Sequence, residues 1–389
     1  MSEAEILFEV QGGLGLITLN RPKALNALTH GMILELERVI PGWEKDPAIK
    51  AVVLRGAGDR AFCAGGDVTN LYRESRENPK GTLRRDFFRD EYIVNRRIYR
   101  YAKPWISLID GIDMGGGVGL SVHGSHSVAS EKFLFAMPET TIGLFPDVGG
   151  GYFLSRLQGA LGTFLALTSH RLRVADAVWA GIVGAHVPSA RINELQAALG
   201  AADLGGSDAN RKVDAVIARF AADAGPPTLP TMMSDIDGCF SAESVAEIEA
   251  KLKKHDGEWA HKQLAALLKL SPLAMAITLE QLKRCANRSF EDSMTIEYRM
   301  AQECMRPDHD FFEGVRALLI DKDQKPKWNP PSIEGVTQAM VEAHFKPCRT
   351  TCYSTEARGS DPRSRGRTSW RKSPSSVLAT WAVRWPPIS

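Results

Sequence analysis

The chain has 389 residues, of which 44% are hydrophobic and 24% charged, a composition typical of a globular protein. Its net charge of +2 is uneven, because residues 347–389 hold eight Lys/Arg and two Asp/Glu, which leaves −4 for residues 1–346. This mildly acidic body argues against a nucleic-acid surface. No apolar run approaches the roughly 18 residues of a membrane helix.

The first residues of the chain and the spacing of its cysteines are used to predict the cellular compartment. The segment Met1–Glu5 holds two acids and no basic stretch, unlike a secretory or organellar targeting segment. The six cysteines are dispersed and form no CxxC pair, which is typical of reduced thiols. We therefore expect a cytoplasmic protein that binds neither nucleic acid nor membrane.

Strand and helix patterns alternate through the first half of the chain. Strands at Ile6–Val10 and Leu14–Leu19 should pair as a hairpin around two glycines, and Thr29 should cap a helix. Further elements are predicted as strands at Ala51–Leu54, Pro104–Ile109 and Phe133–Met137 and as helices at Arg84–Tyr101 and Gly116–His123. Repeated strand–helix units indicate an α/β fold with its site in loops at strand ends.

The character of the sequence changes after residue 195. Ala-rich, charged helices are predicted at Ser244–Lys254, Lys262–Leu270 and Ala274–Ala286. We predict an α/β core over residues 1–195, a helical subdomain over 196–346 and a basic tail over 347–389. The tail is rich in Ser, Thr, Arg and Pro, a composition typical of disorder, and is read either as a solvated tail or as a basic lipid- or RNA-binding arm.

Two glycine-rich loops are the first candidates for chemistry. The segment Ala61–Asp67 follows the predicted strand Ala51–Leu54, and Asp113–Gly119 follows Pro104–Ile109. Glycines between a strand and a helix allow close approach of a ligand, and the free N–H groups at a helix start can stabilise an oxyanion. The alternative is that these glycines only permit tight strand–helix packing.

An acidic strip supplies the second candidate. Glu139 and Asp147 are eight residues apart, with apolar residues and prolines between them. Carboxylates in such surroundings are candidates for a raised pKa and for acid–base or nucleophilic work. The alternative for Asp147 is structural, since it precedes Val148 and a glycine run and could cap a helix there.

Motifs for other chemistry are absent from the sequence. There is no P-loop, no register of the Met114–Leu120 glycines gives G-x-G-x-x-G, and no H-x-x-x-H or H-E-x-x-H occurs. The nine histidines are dispersed. We therefore expect neither a metal nor a redox cofactor.

Taken together, the motifs resemble those of the crotonase (enoyl-CoA hydratase/isomerase) superfamily. The resemblance covers about residues 6–345. It is carried by the segments Asn20–Leu28, Cys63–Asp67, Met114–Gly117, Gly116–Gly124, Phe135–Thr140, Gly143–Phe153 and Phe312–Asp323. It implies an α/β fold, a crotonase-like spiral of ββα units with a C-terminal helical subdomain, and an enzyme acting on an acyl-CoA thioester.

The resemblance also implies roles for backbone groups. The N–H groups of Gly66 and Gly116 should form the oxyanion hole. Coenzyme A enters as part of the substrate and is not a separate cofactor. Its contacts are expected at Lys23, Ala24, Leu25 and Ala64. The superfamily often forms trimers, so a homo-oligomer is among the expected partners.

The implied roles of the acids separate subfamilies. Glu139 matches the shared catalytic glutamate, Asp147 matches the second acid of the superfamily's thioester hydrolases, and Glu91 matches a substrate-contact position. Hydratases have a second glutamate where this chain has Gly119, which cannot transfer a proton. These positions favour hydrolysis over hydration. The substrate that the resemblance implies is 3-hydroxyisobutyryl-CoA, or 3-hydroxypropionyl-CoA, in valine breakdown. The alternatives are an enoyl-CoA hydratase or isomerase and a non-catalytic acyl-CoA-binding protein.

Overall fold

The computed structural model describes residues 4–347, so the predicted tail lies, apart from its first residue, outside the described residues. The strands are β1 (Ile6–Gln11), β2 (Leu14–Leu19), β3 (Ala51–Gly56), β4 (Ala61–Cys63), β5 (Trp105–Ile109), β6 (Ile112–Met114), β7 (His126–Ala129), β8 (Leu134–Ala136) and β9 (Ala185–His186). The helices are α1 (His30–Lys45), α2 (Val68–Glu77), α3 (Leu83–Arg100), α4 (Gly116–Ser121), α5 (Gly150–Leu154), α6 (Leu161–Thr168), α7 (Val174–Trp179), α8 (Ile192–Ala201), α9 (Ala209–Ala218), α10 (Leu229–Phe240), α11 (Val245–Lys254), α12 (Glu258–Leu267), α13 (Pro272–Cys285), α14 (Phe290–Cys304), α15 (Asp310–Val315) and α16 (Gln338–Ala343).

The strands form two sheets in alternation. One sheet has the order β1-β2-β3-β5-β7-β9, and the other has the order β4-β6-β8. The hairpin β1–β2 is antiparallel, and the other pairs are parallel. Successive pairs β3–β4, β5–β6 and β7–β8 each place one strand in each sheet, and a helix follows before the next pair. This repeat is the predicted spiral of ββα units, and the predicted fold class is confirmed.

The predicted elements of the first half are present, with small shifts at their ends. The β1–β2 hairpin pairs Ile6 with Leu19 and Gln11 with Leu14. The Thr29 hydroxyl accepts from the Met32 amide and so caps α1, as expected. Strands β4, β6, β7 and β9 were not predicted, because strands of two to four residues are too short to show a period.

Strand β3 shows how the core is divided. Its residues from Ala51 to Leu54 are fully buried, and they alternate between two clusters. Val52 and Leu54 belong to the larger cluster, whereas Ala51 and Val53 face the smaller one. Burial on both faces explains why the strand reads as a continuous apolar run without alternation.

The helical part of the chain shares these clusters with the α/β part. The larger cluster continues into α13 and α14, and the smaller one includes Leu195 and Leu199 of α8. The proposed boundary after residue 195 falls inside α8, and the division into domains stays a prediction. Among the described residues, no single helix is long and apolar enough to cross a membrane, and α12 with α13 meet that criterion only as a pair bent by 108°.

Candidate active site

The two glycine loops lie side by side because the strands before them pair. Cys63 of β4 is in register with Asp113 of β6 in a parallel ladder, so both chains leave the sheet at the same edge. A Cβ placed on Gly116 would lie 3.2 Å from the Gly66 nitrogen. Within residues 4–347 neither glycine amide donates to a protein acceptor. Gly116 is the first residue of α4, where an amide has no partner inside the helix, so the two N–H groups can form an oxyanion hole.

Neighbouring glycines of the second loop serve different purposes. A Cβ on Gly115 would lie 2.9 Å from a carboxylate oxygen of Glu139, and one on Gly116 would lie 2.5 Å from a carboxylate oxygen of Glu91. Both glycines therefore allow close approach of the acids. A Cβ on Gly117 would instead lie 2.5 Å from the Cys63 carbonyl oxygen. The packing interpretation therefore holds for Gly117, and the close approach of a ligand at Gly116 stays a prediction.

Three predicted acids are buried around these loops. The exposed fractions are 3% for Glu91, 5% for Glu139 and 5% for Asp147. Burial, and then the charge of Asp147, raise the pKa of Glu91 and of Glu139 well above the ordinary value of a glutamate. Among the described residues, one oxygen of Glu91 and one of Glu139 have no hydrogen-bond partner. Such oxygens are available to a substrate or to water.

Asp147 has a specific partner, the Tyr92 hydroxyl, which donates to its Oδ2 atom at 2.8 Å. Burial raises the pKa of Asp147 to about 7, and the hydrogen bond from Tyr92 opposes that rise. The capping alternative is wrong, because α5 is preceded by Gly149, where no side chain caps the helix. The carboxylate turns away from the helix toward α3, which carries Glu91 as well as Tyr92.

The turn that carries Asp147 is held from two sides. Val148 has a φ of 50° although it is β-branched, a conformation that persists only where the surroundings enforce it. The His123 ring nitrogen Nε2 donates to the Val148 carbonyl at 2.7 Å. The carboxylate of Glu297 accepts from the amides of Gly149 and Gly151.

Two residues of the site, Tyr92 and Glu297, were not predicted. Tyr92 directly follows the predicted contact residue Glu91, but nothing local in the sequence shows that its hydroxyl meets Asp147. Glu297 had a detectable signal, since it lies at helical spacing from Met294 and Ala301 on the apolar face of α14. A lone acid on such a face is rarely buried without a partner.

The predicted CoA-contact loop also lies beside the oxyanion hole. Lys23 and Ala24 are exposed in a short 3-10 turn, and Leu25 ends it with a φ of 52°. The Ala64 amide donates to the Leu25 carbonyl at 3.0 Å, and the Leu28 amide donates to the Gly65 carbonyl at 2.8 Å. The structure thus brings these four predicted contact residues together, and their role in CoA binding stays a prediction.

Gly119 is the position where the resemblance to hydratases would require a second glutamate. A Cβ there would lie 2.6 Å from Cβ of Val148 and 2.8 Å from Nδ2 of Asn95. The space is filled by the turn that carries Asp147. A side chain at 119 and this conformation of the turn are therefore mutually exclusive.

One group of potential metal ligands lies elsewhere in residues 4–347, at Cys304, His309 and His344. Nδ1 of His309 accepts from the Phe311 amide, so its Nε2 carries the proton, which it donates to Nε2 of His344 at 3.0 Å. His344 donates through Nδ1 to the Met340 carbonyl. A metal on both Nε2 atoms would remove the cap that His309 provides, so these bonds favour neutral imidazoles. The expectation of no metal stays a prediction.

The architecture and site define a class of protein. Residues 14–345 match the family model described as enoyl-CoA hydratase/isomerase, and the chain belongs to this family. It is 48% identical over 356 residues to the mitochondrial 3-hydroxyisobutyryl-CoA hydrolase of Gallus gallus, an alignment covering 89% of this chain and 90% of that protein. Identity to the Homo sapiens protein of the same name is 46% over 347 residues, or 88% of each chain.

A solved structure shows the same fold. The crystal structure of a carnitinyl-CoA dehydratase from Mycobacterium thermoresistibile is similar with a TM-score of 0.82 and 40% identity. The similarity covers 90% of this chain and 98% of the other. The predicted family is thereby confirmed, and the relatives carry the hydrolase name that the motifs indicated.

The predicted cytoplasmic location is wrong. Both hydrolase relatives are named as mitochondrial proteins, and they align with almost nine-tenths of this chain. The prediction depended on the acidity of Met1–Glu5 and on the absence of paired cysteines. Neither feature separates cytoplasm from mitochondrion, because the charge of five residues does not determine where a folded enzyme works and both compartments keep thiols reduced.

Proposed function

We propose that this chain hydrolyses the thioester of 3-hydroxyisobutyryl-CoA, releasing 3-hydroxyisobutyrate and CoA, as a step of valine catabolism. 3-Hydroxypropionyl-CoA is the alternative acyl group. The observation that carries the proposal is that Glu139 lies against the second glycine loop and within electrostatic reach of Asp147, both acids being buried, while position 119 has no side chain. The names of the two hydrolase relatives support it.

The geometry suggests how the reaction proceeds. The thioester oxygen accepts from the two glycine amides, which stabilise the negative charge that develops on it. A carboxylate oxygen of Glu139 attacks the carbonyl carbon, the C–S bond breaks, and CoA leaves as a thiolate that is protonated from solvent. Water then attacks the resulting anhydride and loses its proton to solvent, which releases the hydroxy acid as a carboxylate and regenerates ionised Glu139. In the alternative route Glu139 takes a proton from water, which attacks directly.

Asp147 acts on the substrate or on water. Its Oδ2 atom already accepts a hydrogen bond from Tyr92. Its remaining acceptor sites can accept a hydrogen bond from the 3-hydroxyl of the substrate. The same carboxylate can orient water and the leaving thiol. The ionised form, which the Tyr92 hydroxyl favours, is the stronger acceptor in either role.

The experiment that tests the function follows two signals in parallel. Thiol release from 3-hydroxyisobutyryl-CoA is measured beside the loss of enoyl absorbance with an enoyl-CoA of the same chain length. Saturable thiol release without loss of the enoyl signal is the expected result, and it excludes a non-catalytic binding protein. Loss of enoyl absorbance without thiol release would establish the hydratase alternative. The similarity to a solved structure named as a dehydratase is the reason for this arm of the experiment.

We expect Tyr92→Phe to move the acidic limb of the pH profile of kcat/KM upward. The variant removes the hydrogen bond that lowers the pKa of Asp147, which is about 7 in the intact protein. A hydrogen bond to a charged acceptor contributes about 1.5–3 kcal/mol, and one pKa unit corresponds to about 1.4 kcal/mol, so the limb should shift by about one to two units. Activity at pH 6 should fall more than activity at pH 9.

The matched control for that prediction is Tyr101→Phe. Tyr101 is equally buried, and its hydroxyl donates to the Ile40 carbonyl, away from the acids. Its pH profile should follow the wild type. A Tyr92→Phe profile that overlays that of Tyr101→Phe would refute the role given to the Tyr92 hydroxyl.

A further inference from the structure

Glu297 is a fully buried acid that no step of the mechanism uses. It lies on α14, and its carboxylate accepts from the amides of Gly149 at 2.7 Å and Gly151 at 2.8 Å. The side-chain amide of Gln281 donates to the same carboxylate at 3.1 Å and to the Pro146 carbonyl at 2.8 Å. The backbone on both sides of Asp147 is therefore attached to the two helices α13 and α14.

The pattern of donors fits the ionised form of Glu297. Both of its oxygens accept hydrogen bonds, from three N–H donors in total, and an ionised carboxylate acts only as an acceptor. Burial raises the pKa of Glu297 to about 8, and the three amides oppose that rise. An ionised group in the core is unfavourable unless its hydrogen bonds are complete, and these bonds are directed at one turn.

That turn needs support. Val148 and Gly149 both have positive φ, at 50° and 86°, and the β-branched Val148 does not adopt such a value without constraint. Because the two residues follow Asp147 directly, their conformation sets the direction of its carboxylate. The peptide group that joins them is bound on both sides, because Glu297 accepts from its N–H and His123 donates to its carbonyl.

We propose that Glu297 is a positioning residue for the hydrolysis, holding the turn after Asp147 so that the Asp147 carboxylate faces Tyr92 and the substrate. This inference rests on the proposed function. Glu297 itself touches no reacting atom. It acts through the Gly149 and Gly151 amides and connects the helical part of the chain to the reaction.

Glu297→Gln is the first test, because an amide keeps the shape but turns one acceptor into a donor that faces a backbone N–H. Displacement of a reacting group by about 1 Å lowers rates about 10²-fold, so kcat should fall by roughly that factor. KM for the CoA thioester should stay within about threefold, since the CoA-contact loop is elsewhere. Glu249→Gln, a buried acid of α11 that pairs with Lys253, is the matched control and should keep wild-type kcat.

A double-mutant cycle separates positioning from general loss of structure. If Glu297 acts through Asp147, combining Glu297→Gln with Asp147→Asn should lower kcat no further than Asp147→Asn alone. Multiplied losses, or a Glu297→Gln enzyme with normal kcat, would overturn the proposal. If Glu297→Gln does not fold, Glu297→Asp keeps the charge but is too short to reach both amides, and the same outcomes apply.

Hydrogen exchange tests the placement without any substrate. In Glu297→Gln, the amides of the segment 147–151 should exchange at least about tenfold faster than in the wild type, with no comparable change in Glu249→Gln. Unchanged exchange would overturn the proposal even if hydrolysis is established. If exchange is faster in Glu297→Gln but the wild-type protein releases no thiol, Glu297 supports the turn and the proposed function is rejected.

Discussion

Glu139→Gln should lower kcat for thiol release by at least about 10³-fold while leaving CoA binding within about threefold of the wild type. The amide can neither attack the carbonyl carbon nor take a proton from water, and a positioned acid–base group alone contributes about 10²–10⁴-fold. The oxyanion hole and the CoA-contact loop use other residues, so binding should persist. Stopped-assay kinetics and titration with a non-hydrolysable CoA thioether measure the two quantities separately.

The same variant should fold at least as well as the wild type. Burial raises the pKa of Glu139, with Asp147 and Glu91 adding to the effect, and one of its oxygens has no protein partner. Replacing an unfavourably buried acid by a neutral isostere removes part of that penalty, a trade-off common at active sites. The thermal unfolding midpoints of Glu139→Gln, Glu249→Gln and the wild type, measured together, check this expectation. Near-normal turnover in a folded Glu139→Gln protein would remove Glu139 from the reaction.

An isotope experiment decides between the two routes open to Glu139. If an anhydride forms and water opens it at the enzyme carbonyl, repeated turnover in H2(18)O should place the heavy isotope in the Glu139 carboxylate. Mass spectrometry of the peptide that contains Glu139 detects the label. A label found only in the released hydroxy acid would favour direct attack by water or opening of the anhydride at the acyl carbon.

Much of the fold was visible in the sequence because it depends on local patterns. The Gly-Gly turn, the Thr29 cap and the apolar run of β3 are all set by neighbours along the chain. The strands β4 and β6 were not visible, since each has three residues and is fixed by its partner. Yet these two short strands align Gly66 with Gly116. The oxyanion hole could therefore be anticipated from the glycines, but its geometry could not.

The acids show a similar limit. The spacing of Asp147 fits both a helix cap and a functional group. The structure shows instead a hydrogen bond from Tyr92, which lies 55 residues earlier. Glu297 is more distant still, at 146 residues from Gly151. Contacts of such separation leave no trace in local periodicity. What the sequence could show was only that an acid stood on the apolar face of α14.

Gly116→Ala should abolish most activity without unfolding the protein, with kcat lowered by about 10²–10³-fold, the range for loss of an oxyanion-hole donor. The added methyl group would lie 2.5 Å from Oε1 of Glu91 and 3.2 Å from the Gly66 nitrogen, in the space that the thioester oxygen should occupy. The first neighbour is the end of a side chain, which can move. Steady-state kinetics with circular dichroism would measure both effects.

Two control substitutions, one next to Gly116 and one in α10, make that result interpretable. In Gly117→Ala the methyl group would lie 2.5 Å from the backbone oxygen of Cys63, which cannot move aside, so we expect loss of the folded protein. In Gly238→Ala, within α10, the methyl group meets nothing within 4 Å, so kcat should be unchanged and stability slightly higher. If Gly116→Ala behaves like Gly238→Ala, the amides of the second loop do not stabilise the oxyanion. If it behaves like Gly117→Ala, the glycine at 116 serves packing, and the hole must be formed by other donors.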